Sequence, residues 1–136
     1  MKNVLVKKFG GTSVGSVERI QMVAERIHDD YKLGQKPIIV CSAMSGETNR
    51  LVKLARDINP YYSGPSYDML LASGEQVSIS LLSMALEKRG LKAKPLLAFQ
   101  LGIKTDSIYS KAKIESIDNQ KLLKYTPRSI VDARSR

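Results

Sequence analysis

Lys8, Gly10, Gly11, Thr12 and Ser13 place a cation, two residues without side chains and two hydroxyls in one short run. That set suits an anion, and a phosphate above all. Glycines let backbone N–H groups approach a ligand closely, hydroxyls add donors, and a lysine supplies a compact positive charge. The run follows Val4, Leu5 and Val6, which favour a strand, and a helical pattern opens at Ser16. A strand, a glycine turn and a helix N-terminus together make an anion cradle. It is not a Walker A loop: Gly15 is followed by Ser16, and the lysine precedes the glycines. By spacing alone, a phosphate cradle and a plain Gly-Gly turn are equally open.

A second set of polar residues is spread more widely. Pro37 opens an apolar run, Ile38 to Cys41, that reads as a buried strand ending in a polar loop from Ser42 to Asn49. In open α/β sheets ligands lie at the carboxyl ends of the strands, so the glycine turn and this loop belong on one edge. Ser42 and Thr48 are candidate ligand-binding hydroxyls. Local turn chemistry, with Thr48 capping a helix that begins near Asn49, explains them as well. Glu75 is the third member. It follows Gly74 inside a long apolar segment, and a buried carboxylate is costly unless it meets a cation. An α-ammonium group would be such a cation; a helix start or a solvent-facing position is the other reading.

The elements that position these residues are legible in the pattern. The chain opens with a strand over 3–9. Val17, Ile20, Val23, Ala24, Ile27 and Tyr31 recur at helical spacing to about Leu33, with Ser16 as N-cap and Gly34 as stop. A strand over 38–41, a short helix over 50–57 and a loop over 59–66 follow. Asp68 to Lys88 reads as a central buried helix in which Gly74 costs about 1 kcal/mol relative to alanine. Lys94 to Phe99 reads as a third strand, 100–106 as a loop in which Asp106 is a turn or a functional aspartate, and 112–117 as a further strand. A helix starts over 118–124.

The 136 residues hold one cysteine, one histidine and 43% hydrophobic side chains. That is enough apolar material for one core. Cys41 alone excludes an internal disulfide, and His28 with Cys41 is too sparse a set for zinc, so no metal site is assigned. No run of about 18 apolar residues marks a membrane span, no signal peptide opens the chain, and the expected location is cytoplasmic. Residues 1–87 carry ten basic and nine acidic side chains, whereas 88–136 carry twelve and four. The scattered lysines of the second half lack interleaved aromatics, so nucleic acid is not an expected partner.

Lys8-Phe9-Gly10-Gly11-Thr12-Ser13-Val14 resembles the opening motif of the aspartokinases, members of the amino-acid kinase fold family. Ser42 to Ser45 with Thr48 to Leu51 is similar to that family's substrate loop, and Ser73 to Ser78 to a further motif. The resemblance runs from residue 3 to about 124 and corresponds to the front part of a catalytic domain. It implies an incomplete three-layer αβα sheet over 1–124. Residues 125–136 depart from the family and are expected to form an exposed basic tail.

The resemblance also implies roles. Lys8 would be catalytic and phosphate-binding, with Gly10, Gly11, Thr12 and Ser13 around the nucleotide phosphates. Ser42 and Thr48 would hold L-aspartate and Glu75 its amino group. The implied reaction is ATP-dependent phosphorylation of the aspartate side chain, the first step toward lysine, threonine and methionine. Mg²⁺ would be bound mainly through the nucleotide, and a homo-oligomer is expected. A non-catalytic chain that binds aspartate or a partner, or another enzyme of the same fold family, are the alternatives.

Overall fold

The computed structural model describes residues 4–125 and 129–132. Its centre is a sheet of parallel strands in the order β1 (Val4–Phe9), β2 (Lys36–Cys41), β6 (Ser129–Asp132) and β3 (Lys94–Leu96). The two strands read most directly from sequence lie side by side, with Lys8 opposite Val40 and Phe9 opposite Cys41.

Alternation along the strands divides two faces. On one, Phe9, Ile39 and Cys41 join Ile20, Val23 and Ile27 of α1 (Val17–Lys32) and Ile79, Leu82 and Leu86 of α3 (Pro65–Glu87) in the main core. On the other, Ile38 and Leu96 meet Leu101, Ile103, Leu122 and Tyr125. Those come from a 3₁₀ turn (Ala98–Leu101), the hairpin of β4 (Ile103–Thr105) and β5 (Ile114–Ile117), and α4 (Asn119–Tyr125). This is the expected three-layer arrangement, and it is partial. Val6 pairs with Ile38 in the sheet yet is 62% exposed, so among the described residues nothing covers the second face over β1.

α1 starts where its cap predicts: the Ser16 side chain accepts from the Arg19 amide at 3.3 Å. α3 is long and apolar enough to cross a membrane by composition. Its Ile79, Leu82 and Leu86 are buried in the main core with α1 and the sheet. It begins at Pro65, earlier than expected, because a proline is well suited to the first helical turn.

Four expectations need correction. α2 (Glu47–Ile58) starts at Glu47, with Gly46 as N-cap at φ 81°, so Thr48 lies inside the first turn and does not cap the helix. The third strand stops at Leu96 and gives way to the 3₁₀ turn. The second half of the expected 100–106 loop is strand β4, which pairs antiparallel with β5 outside the main sheet. Finally, Ser129–Asp132, assigned from sequence to an exposed tail, is a strand inserted between β2 and β3. The rest of that tail, beyond Tyr125, lies outside the described residues. The hairpin is tied to α3 by the buried Asp68 carboxylate, which accepts from the Ser110 amide at 3.2 Å and its hydroxyl at 3.3 Å.

Candidate active site

A cleft of about 390 Å³ opens at the carboxyl edge of β1 and β2. Lys8, Gly11, Ser42, Ala43, Met44, Ser45, Gly46, Thr48 and Glu75 line it. Three separated stretches of sequence therefore meet at one place: the end of β1 with its glycine turn, the loop from β2 into α2, and the middle of α3. Among the described residues, larger clefts lie between α3 and the hairpin and between α2 and α3. Neither is lined by a lysine or arginine, so neither offers the charge a phosphate needs.

The site is closely packed at its floor. The strand ladder ends where the Ser42 amide donates to the Phe9 carbonyl at 3.1 Å. A Cβ on Gly11 would stand 3.0 Å from the Ala43 carbonyl oxygen, so a side chain there would force the two loops apart. Gly74 plays the same part from the helix side. Its missing Cβ would lie 3.1 Å from the Ala43 Cβ and 3.3 Å from Glu47 Cγ. The glycine that weakens α3 is what allows the helix to touch the β2 loop.

Glu75 is only 3% exposed and stands in the middle of α3, so it neither faces solvent nor lies at the helix start. Its Oε1 accepts from the Ala43 amide at 3.4 Å. Lys8 is exposed and forms no ion pair with any described residue, whereas its neighbour Lys7 is bonded to Asp30 of α1. The two adjacent lysines point to opposite faces because the strand alternates.

Not every candidate enters the cleft. Gly10 accepts a turn hydrogen bond from the Ser13 amide at 2.9 Å and does not line it. Thr12 is exposed. Ser13 borders a separate cleft with Arg19, Met22 and Arg26. Asp106 is a turn aspartate, its Oδ1 accepting from the Ile108 amide at 3.1 Å. No cluster of three or more His, Cys, Asp or Glu that could hold a metal stands among the described residues. Sequence reasoning missed Ser78, which is fully buried with its hydroxyl 2.7 Å from the Ser42 carbonyl oxygen. A serine one turn after Glu75 in an apolar helix was the available signal.

At the rim, the Arg50 guanidinium reaches both oxygens of Glu47, at 2.9 and 2.7 Å, and those hydrogen bonds hold that carboxyl below its ordinary value of 4.5. A folded value below the unfolded one means stability present above about pH 4.5 and lost as pH falls through the folded value. Arg50→Gln is therefore expected to lower the melting temperature slightly at pH 7, and the gap to wild type should shrink when the measurement is repeated at a pH well below 4.5. A gap of equal size at both pH values would assign the arginine to packing instead of charge.

A parallel sheet with helices packed on it and a glycine turn at its carboxyl edge defines an open α/β fold whose ligand cleft lies at that edge. The model of the amino acid kinase family matches residues 3–131, and the chain belongs to that family. It is 49% identical over 119 residues to an aspartate kinase of Pseudomonas putida, a match covering 88% of this chain and 29% of that protein. The structure superposes on an aspartate kinase from Synechocystis with a TM-score of 0.83 at 41% identity, covering 96% of this chain and 21% of that one. It shares its fold with aspartokinase III of E. coli, solved with aspartate and ADP, at a TM-score of 0.72 and 20% identity over 96% of this chain and 40% of that one. The chain thus spans under a third of the length of the curated relatives it matches.

Proposed function

We propose that this chain forms the aspartate-binding part of an aspartate kinase, which transfers the γ-phosphoryl group of ATP to the side-chain carboxylate of L-aspartate. The observation that carries the reading is the shared cleft, in which Lys8, Gly11, Ser42, Thr48 and Glu75 converge from distant parts of the sequence. One cation, one buried carboxylate and two hydroxyls suit an amino acid with a phosphoryl group next to it.

In this reading Ser42 and Thr48 hold the aspartate carboxylates and Glu75 its ammonium group. Lys8 meets the charge that develops on the transferring phosphoryl group. Gly10 and Gly11 form the backbone cradle, with Thr12 and Ser13 as supporting donors at its outer edge. An aspartate oxygen bonds to the γ-phosphorus as the bond to the β,γ-bridging oxygen breaks, and ADP leaves with that electron pair. The attacking carboxylate is already ionised at pH 7, so no general base is needed and a site without histidine suffices. What remains for the protein is positioning and positive charge. Mg²⁺, carried mainly by the nucleotide phosphates, would neutralise part of their charge. The reading also carries a homo-oligomeric assembly and a cytoplasmic location.

The test is titration of L-aspartate into the ¹⁵N-labelled chain, with ATP-dependent aspartyl hydroxamate formation measured alongside. Saturable amide shifts at Ser42, Ala43, Thr48 and Glu75 are expected with aspartate and not with carbamate or uridylate. No perturbation by aspartate refutes the reading, and selective response to carbamate or uridylate replaces it with another enzyme of the family. Binding without turnover supports a chain that holds aspartate and does not phosphorylate it.

A further inference from the structure

We infer that Ser78 is a positioning residue that sets the direction of Ser42 by gripping, together with Glu75, both polar groups of one peptide bond; this rests on the proposed aspartate site. The Ser42 carbonyl oxygen accepts from the Ser78 hydroxyl at 2.7 Å. The Ala43 amide, on the other side of the same peptide unit, donates to Glu75 Oε1 at 3.4 Å. Ser78 and Glu75 are three residues apart on α3 and so share a face of the helix. The helix clamps one peptide plane from a single turn, and the orientation of that plane fixes where the Ser42 side chain leaves the backbone.

Three details favour a clamp over a serine merely accommodated in a helix. The Ser78 hydroxyl has one proton and two acceptors in reach, Ser42 O at 2.7 Å and Glu75 O of its own helix at 3.0 Å. The shorter contact is the one that crosses between elements. The Ser42 carbonyl stands beyond the end of β2 at Cys41, where the strand no longer organises its bonding. Gly74 brings α3 into contact with Ala43 at this point, so the clamp closes over a short distance. Buried polar groups of this kind are costly when left without their partner, which makes the arrangement sensitive to loss of a single hydroxyl.

Ser83 provides the control. It is buried on the same helix, and its hydroxyl donates to the Ala93 carbonyl at 3.2 Å, leading into β3 and not into the cleft. Ser78→Ala is expected to weaken L-aspartate binding about tenfold and to speed hydrogen exchange of the Ala43 amide about tenfold. Ser78→Thr, which keeps the hydroxyl, should restore both to within about threefold of wild type. Ser83→Ala should lower the melting temperature while leaving both readouts at wild-type values. Equal effects of the two alanine variants, or unchanged Ala43 exchange in folded Ser78→Ala, overturn the clamp. The exchange readout needs no ligand. Should wild type fail to bind aspartate while Ser78→Ala still loosens Ala43, the clamp stands and the aspartate reading falls.

Discussion

On the proposed aspartate kinase reading, replacing Lys8 with alanine is expected to abolish ATP-dependent aspartyl phosphate formation, a fall of about a thousandfold or more, in a chain that still folds. The two halves of that expectation have different sources. Lys8 is exposed and without an ion pair among the described residues, so its removal takes little from the fold, within about 0.5 kcal/mol. In the cleft, however, it is the only cationic side chain in the lining. Phosphoryl transfer depends on positive charge at the migrating group, and no other residue of this cleft can supply it.

Lys7 makes the comparison discriminating. It is bonded to Asp30, and both side chains are mostly buried. Lys7→Ala should therefore cost about 1 kcal/mol of stability with catalysis unchanged. Adjacent lysines would then separate cleanly, one acting on melting temperature and the other on turnover. Hydroxamate formation at wild-type rate in Lys8→Ala would remove Lys8 from the mechanism. Equal losses from both substitutions would point to a general effect of charge on this edge.

The contrast between the two lysines shows which level of the molecule sequence could reach. Strand β1, helix α1 and strand β2 were readable because apolar periodicity, the Ser16 cap and β-branched runs all agree locally. The meeting of Lys8 with Ser42 and Thr48 followed from the rule that parallel strands present their carboxyl ends on one edge. What failed were short elements whose identity is tertiary. Ser129–Asp132 has only Ile130 and Val131 as strand formers, in a basic stretch after a proline, and becomes a strand because β2 and β3 offer ladders on both sides. β4 is three residues long and exists through its pairing with β5. Thr48 resembles a cap by residue type, but left-handed Gly46 starts the helix before it. The Ser78 clamp was hidden for another reason: a serine in an apolar helix gives no sign of which carbonyl it will meet.

Glu75→Gln is the second large effect, and it should separate binding from stability. The side-chain oxygen of glutamine can still accept from the Ala43 amide, so the peptide clamp keeps its partner. The negative charge is gone. The exchange keeps the size of a side chain that is 3% exposed, so the melting temperature should change little. Aspartate affinity should nevertheless fall about a hundredfold, or about 2.7 kcal/mol, because the ammonium group of the ligand would enter the site without a counter-charge. Glu75→Ala should lose both, since it frees the Ala43 amide as well. Affinity within threefold of wild type in the glutamine variant would mean that Glu75 serves the loop alone. The ligand's ammonium group would then have to be held from outside these residues, because the cleft contains no second carboxylate.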